Sequence, residues 1–318
     1  MSILCSVVVP MYNEEEVIPV TYQRLTDVME KANVNYEIIF VNDGSRDKTA
    51  ELLNEICDND KRVKLLDFSR NFGHQIAITA GMDYSCGQCI VVIDGDLQDP
   101  PELIPAMIEK WKDGYDVVYG KRISRQGESI FKKLTAAIYY RLLRSMTDVS
   151  IPVDTGDFRL IDRKVCDALK EVKERNRYVR GLISWLGFKQ TSIEFERQER
   201  FAGETKYPLR KMLKLAFDGI TTFSYKPLKL ASYIGTIISL GSFAYLIFVI
   251  VQRLFFPETV QPGWASTLAV SLFFNGITLL MLGIMGEYVG RIYDEVKGRP
   301  LYIIKETKNI DYDKNKDI

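Results

Sequence analysis

The chain has 318 residues, and its 42 Lys and Arg balance 42 Asp and Glu, so no net charge draws it toward nucleic acid. With 47% hydrophobic and 26% charged residues it reads as globular, and its length allows two domains. Five cysteines fit a reducing compartment, and Cys86-Gly-Gln-Cys89 with one histidine, His74, lacks the ligands of a tetrahedral zinc site.

In chain order, strand-like runs at 4–9, 37–41, 63–68, 89–93 and 116–119 alternate with helical patterns at 14–32, 48–58, 74–84 and 102–112. That alternation predicts an α/β fold with a doubly wound, mainly parallel sheet, over a domain spanning residues 1–226. The first apolar run, 3–9, is too short and lacks the basic flank of a signal peptide, so it reads as a strand. No Gly-x-Gly-x-x-Gly or Gly-x4-Gly-Lys-Ser/Thr sequence occurs, which removes the main support for a dinucleotide oxidoreductase or a P-loop ATPase.

Three of the strands run into polar turns: Pro10-Met-Tyr12-Asn13-Glu14, Asn42-Asp43-Gly44-Ser45 and Asp94-Gly95-Asp96. Strand ends of this kind converge on the edge where open α/β sheets bind ligands. In the last turn, two carboxylates separated by one glycine can both face one hard divalent cation, which shares oxygen ligands with phosphates. Asp-Gly is also an ordinary turn pair, so the turn alone decides nothing.

Further along, the patterns at 130–146 and 208–223 are amphipathic with basic polar faces, and they read as helices lying at a membrane interface. Two uncharged runs follow, 230–251 and 264–286. As helices each covers roughly 33 Å at about 1.5 Å per residue, enough for a hydrocarbon core of about 30 Å. A two-span hairpin over 227–291 is therefore expected, with residues 292–318 as a tail. Arg210, Lys211, Lys214, Lys226 and Lys229 precede it, and Arg291, Lys297 and Arg299 follow, against Arg253 alone between the spans. The positive-inside bias puts both termini in the cytoplasm, at the cell membrane. Asn275, within the second run, reads as a hydrogen-bonding tie between helices.

Seven motifs occur in order: Val7-Val-Val-Pro10-Met-Tyr12-Asn13-Glu14, Val41-Asn-Asp43-Gly-Ser-Arg-Asp47, Ser69-Arg70-Asn71-Phe72-Gly73-His74, Asp94-Gly-Asp96-Leu-Gln98-Asp99, Gly120-Lys121-Arg122, Asp154-Thr-Gly156-Asp157-Phe-Arg159 and Arg200-Phe-Ala-Gly203-Glu-Thr-Lys206-Tyr207. The set resembles the family-2 glycosyltransferases of GT-A fold, in the dolichol-phosphate mannose synthase branch, and within it the bacterial undecaprenyl-phosphate (bactoprenol) glucosyltransferases. The resemblance runs to about Tyr302.

It implies a nucleoside pocket lined by Pro10, Tyr12, Glu14 and Asp43, and a Mg²⁺ or Mn²⁺ site made by Asp94, Asp96 and Gln98. Asp94 and Arg122 would also meet the nucleotide-sugar. Arg200 and Lys206 would face phosphates, with Lys132 or Lys133 toward the lipid phosphate. Asp157 takes the position of base or acceptor organiser. For Glu14 and Asp47 helix capping is an alternative, and Arg70 and His74 read equally as turn-closing residues.

The implied reaction is inverting transfer of a hexose from a UDP-sugar such as UDP-glucose to polyprenyl (undecaprenyl) phosphate. Its implied partners are the membrane, a separate flippase and a downstream glycosyltransferase, with a homo-oligomer left open. Two other readings carry less. A processive polysaccharide synthase shares the early motifs but carries Gln-x-x-Arg-Trp, and Trp111, Trp185 and Trp264 sit in no such context. A non-catalytic membrane-anchored nucleotide-binding protein would have no need of the acidic turn with Gln98 and the basic residues.

Overall fold

The computed structural model describes residues 3–123, 155–175, 177–196, 226–255 and 263–310. They fall into two compact units, one built on a sheet and including the residues after 298, the other made of two long helices.

The sheet unit begins with β1 (Cys5–Met11), followed by α1 (Ile18–Lys31), β2 (Tyr36–Asn42), α2 (Thr49–Asn59), β3 (Val63–Phe68), α3 (His74–Asp83) and β4 (Cys89–Val92). A short 3₁₀ turn at Pro101–Leu103 leads into α4 (Ile104–Lys112), then β5 (Val117–Arg122). The elements β6 (Thr155–Asp162), α5 (Arg163–Glu171), α6 (Val179–Trp185) and β7 (Gln190–Phe195) come next, and β8 (Ile304–Lys308) is the last strand. Every residue of β1, β2 and β4 is buried, as the β-branched runs require of strands covered on both faces. Helix α1 covers one face through Ile18, Thr21, Leu25, Val28 and Met29, a helical-period stripe.

The strand order is β7-β5-β6-β4-β1-β2-β3-β8. Four pairings are parallel and three antiparallel, so the sheet is mixed where the sequence predicts a mainly parallel one. The difference comes from β6, inserted antiparallel between β4 and β5, and from β8 on the far edge. Neither strand reads as an apolar run: β6 is broken by Asp157 and Arg159, and β8 (Ile-Lys-Glu-Thr-Lys) carries the charge common on edge strands. The segment expected as a tail thus completes the sheet.

Between β1 and β4 lies the candidate crevice. From β1 the chain runs outward to β2 and β3 on one side, while β4 lies on the other, which is a topological switch point. Pairing of β1 with β4 stops at Val8↔Val92, whereas β1 stays paired with β2 to Met11↔Asn42. Val8 O accepts from Ile93 N on the β4 side, and Met11 O accepts from Asp43 N on the β2 side. By strand alternation Pro10 faces the β4 side, where the ladder has ended and its missing N–H costs nothing. The proline therefore marks where the two strands part.

In the second unit, α7 (Lys226–Phe255) and α8 (Trp264–Val296) are continuous helices of 30 and 33 residues, in contact with each other. Large apolar side chains lie exposed along both, including Ile237, Phe243 and Phe248 on α7 and Phe273, Leu279 and Leu282 on α8. Among the described residues one segment, Phe273–Val296, is long and apolar enough to cross a membrane, so by that measure the expected pair of spans has one counterpart. The amphipathic segments expected at 130–146 and 208–223 lie outside the described residues.

Candidate active site

The crevice is lined by the ends of β1, β2 and β4, by the start of α3 and by β6. At β4 the chain leaves Ile93 and turns through Asp94, Gly95 and Asp96. Gly95 O accepts from Thr21 Oγ1 at 3.0 Å, which fastens the turn to α1. A Cβ on Gly95 would stand 2.4 Å from Met11 Sδ, so the residue between the two aspartates has to be glycine unless buried Met11 moves. Leu97 follows with φ 56, a left-handed conformation costly for a leucine. Its peptide lets Gln98 N donate to Asp96 Oδ1 at 3.2 Å. Asp94 Oδ1 is buried without a hydrogen bond of ordinary geometry. Among the described residues, no three His, Cys, Asp or Glu side chains converge as a complete metal site.

Opposite the turn, β6 presents Asp157, whose side chain is 12% exposed. Its Oδ2 accepts from Gln75 Nε2 at 2.9 Å and lies 3.3 Å from His74 Nε2, while Oδ1 accepts from Arg180 Nη2 at 3.3 Å. Gln75 Oε1 in turn accepts from Val179 N at 3.0 Å, and Arg180 Nη1 donates to Thr155 O. Burial would raise the Asp157 pKa, but His74, Arg180 and buried Arg159 outweigh it and hold the carboxyl far below the usual range. Both oxygens are committed, so Asp157 is a fixed anion.

His74 bridges the two sides. Its Nε2 is 3.3 Å from both Asp94 Oδ1 and Asp157 Oδ2. Burial opposes its charge, yet the two carboxylates push its pKa well above 6.5. Arg159, on β6 beside it, donates to Gly156 O at 3.0 Å, and burial lowers its pKa to about 10.

The other residues named from the sequence are arranged as follows. Pro10 is buried at the end of β1, and Tyr12, just beyond, is 39% exposed. Glu14 donates its backbone N–H to Thr49 Oγ1 at 3.0 Å, tying the β1 loop to the start of α2. Asp43 is 3% exposed and accepts from Asn71 Nδ2 at 2.9 Å, Phe72 N at 2.6 Å and Gly73 N at 3.0 Å. Burial raises its pKa, against the opposing pull of those amides. Beside it Gly44, with φ 64, leaves room for the Arg70 backbone, which a Cβ would meet at 2.3 Å. Arg122, at the end of β5, reaches buried Asp99, with Nη2 3.3 Å from Oδ1. Lys132, Lys133, Arg200 and Lys206 lie outside the described residues.

Asp94, Asp157 and His74 thus meet at the crevice, with Asp96 in the turn that carries Asp94, and Asp43 holds the loop on the β2 side. His74, which reads from the sequence equally as a turn-closing residue, stands between the two carboxylates. Its signal was there: the one histidine in the chain, at the start of a helix on the convergent edge. Gln75 and Arg180 had no comparable signal, because their role depends on where α6 packs.

The sequence profile of glycosyl transferase family 2 matches residues 6–170. The chain belongs to that family. It is 63% identical over 306 residues to the uncharacterized glycosyltransferase YkcC of Bacillus subtilis (strain 168), covering 96% of this chain and 94% of that one. It is 42% identical over 302 residues to the bactoprenol glucosyl transferase of Shigella phage SfII, covering 95% and 97%. A prophage bactoprenol glucosyl transferase homolog of Escherichia coli (strain K12) is also 42% identical, over 303 residues, covering 95% and 99%. Among solved structures, mannosyl-3-phosphoglycerate synthase from Rubrobacter xylanophilus is similar at a TM-score of 0.46 and 15% identity, over 68% of this chain and 71% of that one. The family-2 glycosyltransferase has the GT-A-like α/β architecture that its motifs imply, on a mixed sheet.

Proposed function

We propose that this family-2 enzyme transfers a hexose from a UDP-sugar, with UDP-glucose the preferred candidate, to the phosphate of a membrane polyprenol such as undecaprenyl phosphate. The observation that carries the reading is the pair of carboxylates at the end of β4, one with a buried oxygen lacking a hydrogen bond, facing a clamped Asp157. The names of the bactoprenol relatives support the acceptor class.

The oxygen donors Asp94, Asp96 and Gln98 suit Mg²⁺ or Mn²⁺, which takes further oxygen ligands from phosphate. The buried Asp94 oxygen, met only by the His74 ring at 3.3 Å, fits that role. When bound, the cation supplies charge neutralisation for the departing diphosphate. Arg122, fixed by Asp99, adds positive charge from the β5 side, and Arg200, Lys206, Lys132 and Lys133 are assigned to the phosphates of donor and acceptor. The loop held by Asp43, with Pro10, Tyr12 and Glu14, shapes the nucleoside end.

A phosphate monoester has its second pKa near 6 and is already an anionic nucleophile at neutral pH, so no strong base is required. Asp157 therefore acts as an organiser: its fixed negative charge orients the acceptor side and favours positive charge developing on the sugar carbon. Attack from the side opposite the diphosphate gives inversion.

The acceptor stays in the bilayer, so we assign α7 and α8 to a two-span hairpin with the catalytic unit on the cytoplasmic face. The exposed apolar side chains on both helices support this. Use of the lipid-linked sugar on the outer side then calls for a separate flippase and a downstream glycosyltransferase.

The test is a panel of UDP-sugars given to the purified full chain with undecaprenyl phosphate and either Mg²⁺, Mn²⁺ or EDTA, with mass analysis of the lipid. The expected product is a polyprenyl-monophosphate hexose formed only in the metal arms. Absence of a glycolipid from every arm overturns the reading.

A further inference from the structure

The chain that follows α8 touches both ends of the segment carrying the crevice residues of α3. Tyr302 stacks on Phe68, with ring centroids 5.3 Å apart and planes at 12°. Phe68 meets Phe72 edge-on at 5.6 Å, and Phe72 N donates to Asp43. The next residue, Ile303, accepts at its carbonyl from Ser69 N at 3.0 Å. The Tyr302 hydroxyl donates to Asp83 Oδ2 at 3.0 Å, and Asp83 is the last residue of the helix that begins with His74.

We propose that Tyr302 is a positioning residue for the nucleotide end of the site, acting through Phe68 and Phe72 on the loop that Asp43 holds. The inference rests on the proposed use of a nucleotide-sugar. Ser69, Arg70 and Asn71 are exposed and Phe72 is half-buried, so the loop has little core of its own. Asp43 fixes it from one side by hydrogen bonds, and the Tyr302–Phe68–Phe72 ring series fixes it from the other. A loop released from the rings has more conformations to lose when a nucleotide binds, and that ordering weakens affinity.

The experiment titrates UDP with MnCl₂ into the full-length wild type, Tyr302→Ala, Tyr302→Phe and Lys308→Ala, alongside donor KM, kcat and thermal unfolding. Lys308, on β8 away from the rings, pairs with Asp58 of α2, so its variant reports on strand docking alone. Tyr302→Ala is expected to weaken UDP about fivefold, as loss of an aromatic pair allows. Donor KM should rise in parallel while kcat stays within about twofold. Tyr302→Phe keeps the stack and should bind like wild type, as should Lys308→Ala. If Tyr302→Ala does not fold, Tyr302→Leu, which keeps apolar bulk without a planar ring, is expected to weaken UDP about threefold.

Wild-type affinity in Tyr302→Ala, or in Tyr302→Leu where that variant stands in, overturns the inference alone. So does an equal loss in Lys308→Ala, which would assign the effect to strand docking. A wild type that does not bind UDP overturns the functional reading and this inference together.

Discussion

Two aspartates stand just beyond the ends of parallel strands on the same edge of the sheet, and they are built in opposite ways. Asp43, after β2, is nearly inaccessible and receives hydrogen bonds from Asn71, Phe72 and Gly73. Asp94, after β4, keeps a buried oxygen without one, with a histidine nitrogen 3.3 Å away. A buried carboxylate oxygen whose one partner is a histidine shared with Asp157 recovers little of its desolvation cost, so folding alone does not favour it. The contrast fits the proposed division between structural and functional use of one residue type: Asp43 holds the loop after β3, and Asp94 is the residue the proposed function assigns to a ligand.

Substitution at the two positions should therefore fail differently. Asp94→Asn is expected to lower transfer by about three orders of magnitude, the scale of several kcal/mol of lost metal-centred stabilisation. Its thermal unfolding should stay close to wild type. A destabilised but active Asp94→Asn would erase the distinction. The next largest effect concerns Asp157. Its pKa is held far below 3.8, so it stays ionised across the working range and cannot give an acid limb between pH 5 and 7. A limb near pH 6 belongs to the acceptor phosphate. Asp157→Asn should lower kcat about ten- to a hundredfold and leave that limb in place. Loss of the limb in the variant would make Asp157 the base.

The same contrast shows what could be read in the sequence. The five early strands and the four early helices are near their expected positions, because apolar runs and helical periods are local properties. Asp94, Asp96 and Asp157 were legible as candidates through the motifs. The division of labour was not, since the partners of Asp43 arrive 28 to 30 residues later and Asp157 meets Gln75 across 82 residues. Strands β6, β7 and β8 escaped because polar or charged residues interrupt them. They form where neighbouring edges supply hydrogen-bond partners, a tertiary cause with no local trace.

Asp43→Ala tests the structural half of the comparison. It leaves the Phe72 and Gly73 amides without their acceptor and Asn71 Nδ2 with the Asp43 backbone carbonyl alone, at a cost of about 2 to 3 kcal/mol. Thermal unfolding should fall by several degrees. Donor KM should rise more than kcat falls, because the loop is displaced while the carboxylates of β4 remain. Unchanged unfolding would mean that those donors find other partners easily.

The smallest effect is the most specific. A Cβ on Gly156 would stand 2.7 Å from Arg122 Nη2 and 3.4 Å from Asp99 Oδ2, with the backbone unmoved. The guanidinium is the end of a flexible chain, so it can move aside at little cost in stability, but its aim is lost. Gly156→Ala should raise donor KM about three- to tenfold, within the range for one weakened charge-assisted contact. If the loss runs through Arg122, Gly156→Ala adds nothing further in an Arg122→Ala background. Equal losses in both backgrounds would place the effect on the β6 backbone that carries Asp157. Double-mutant kinetics thus distinguishes the two anions flanking Gly156, buried Asp99 that aims an arginine and clamped Asp157 that faces the carboxylates of β4.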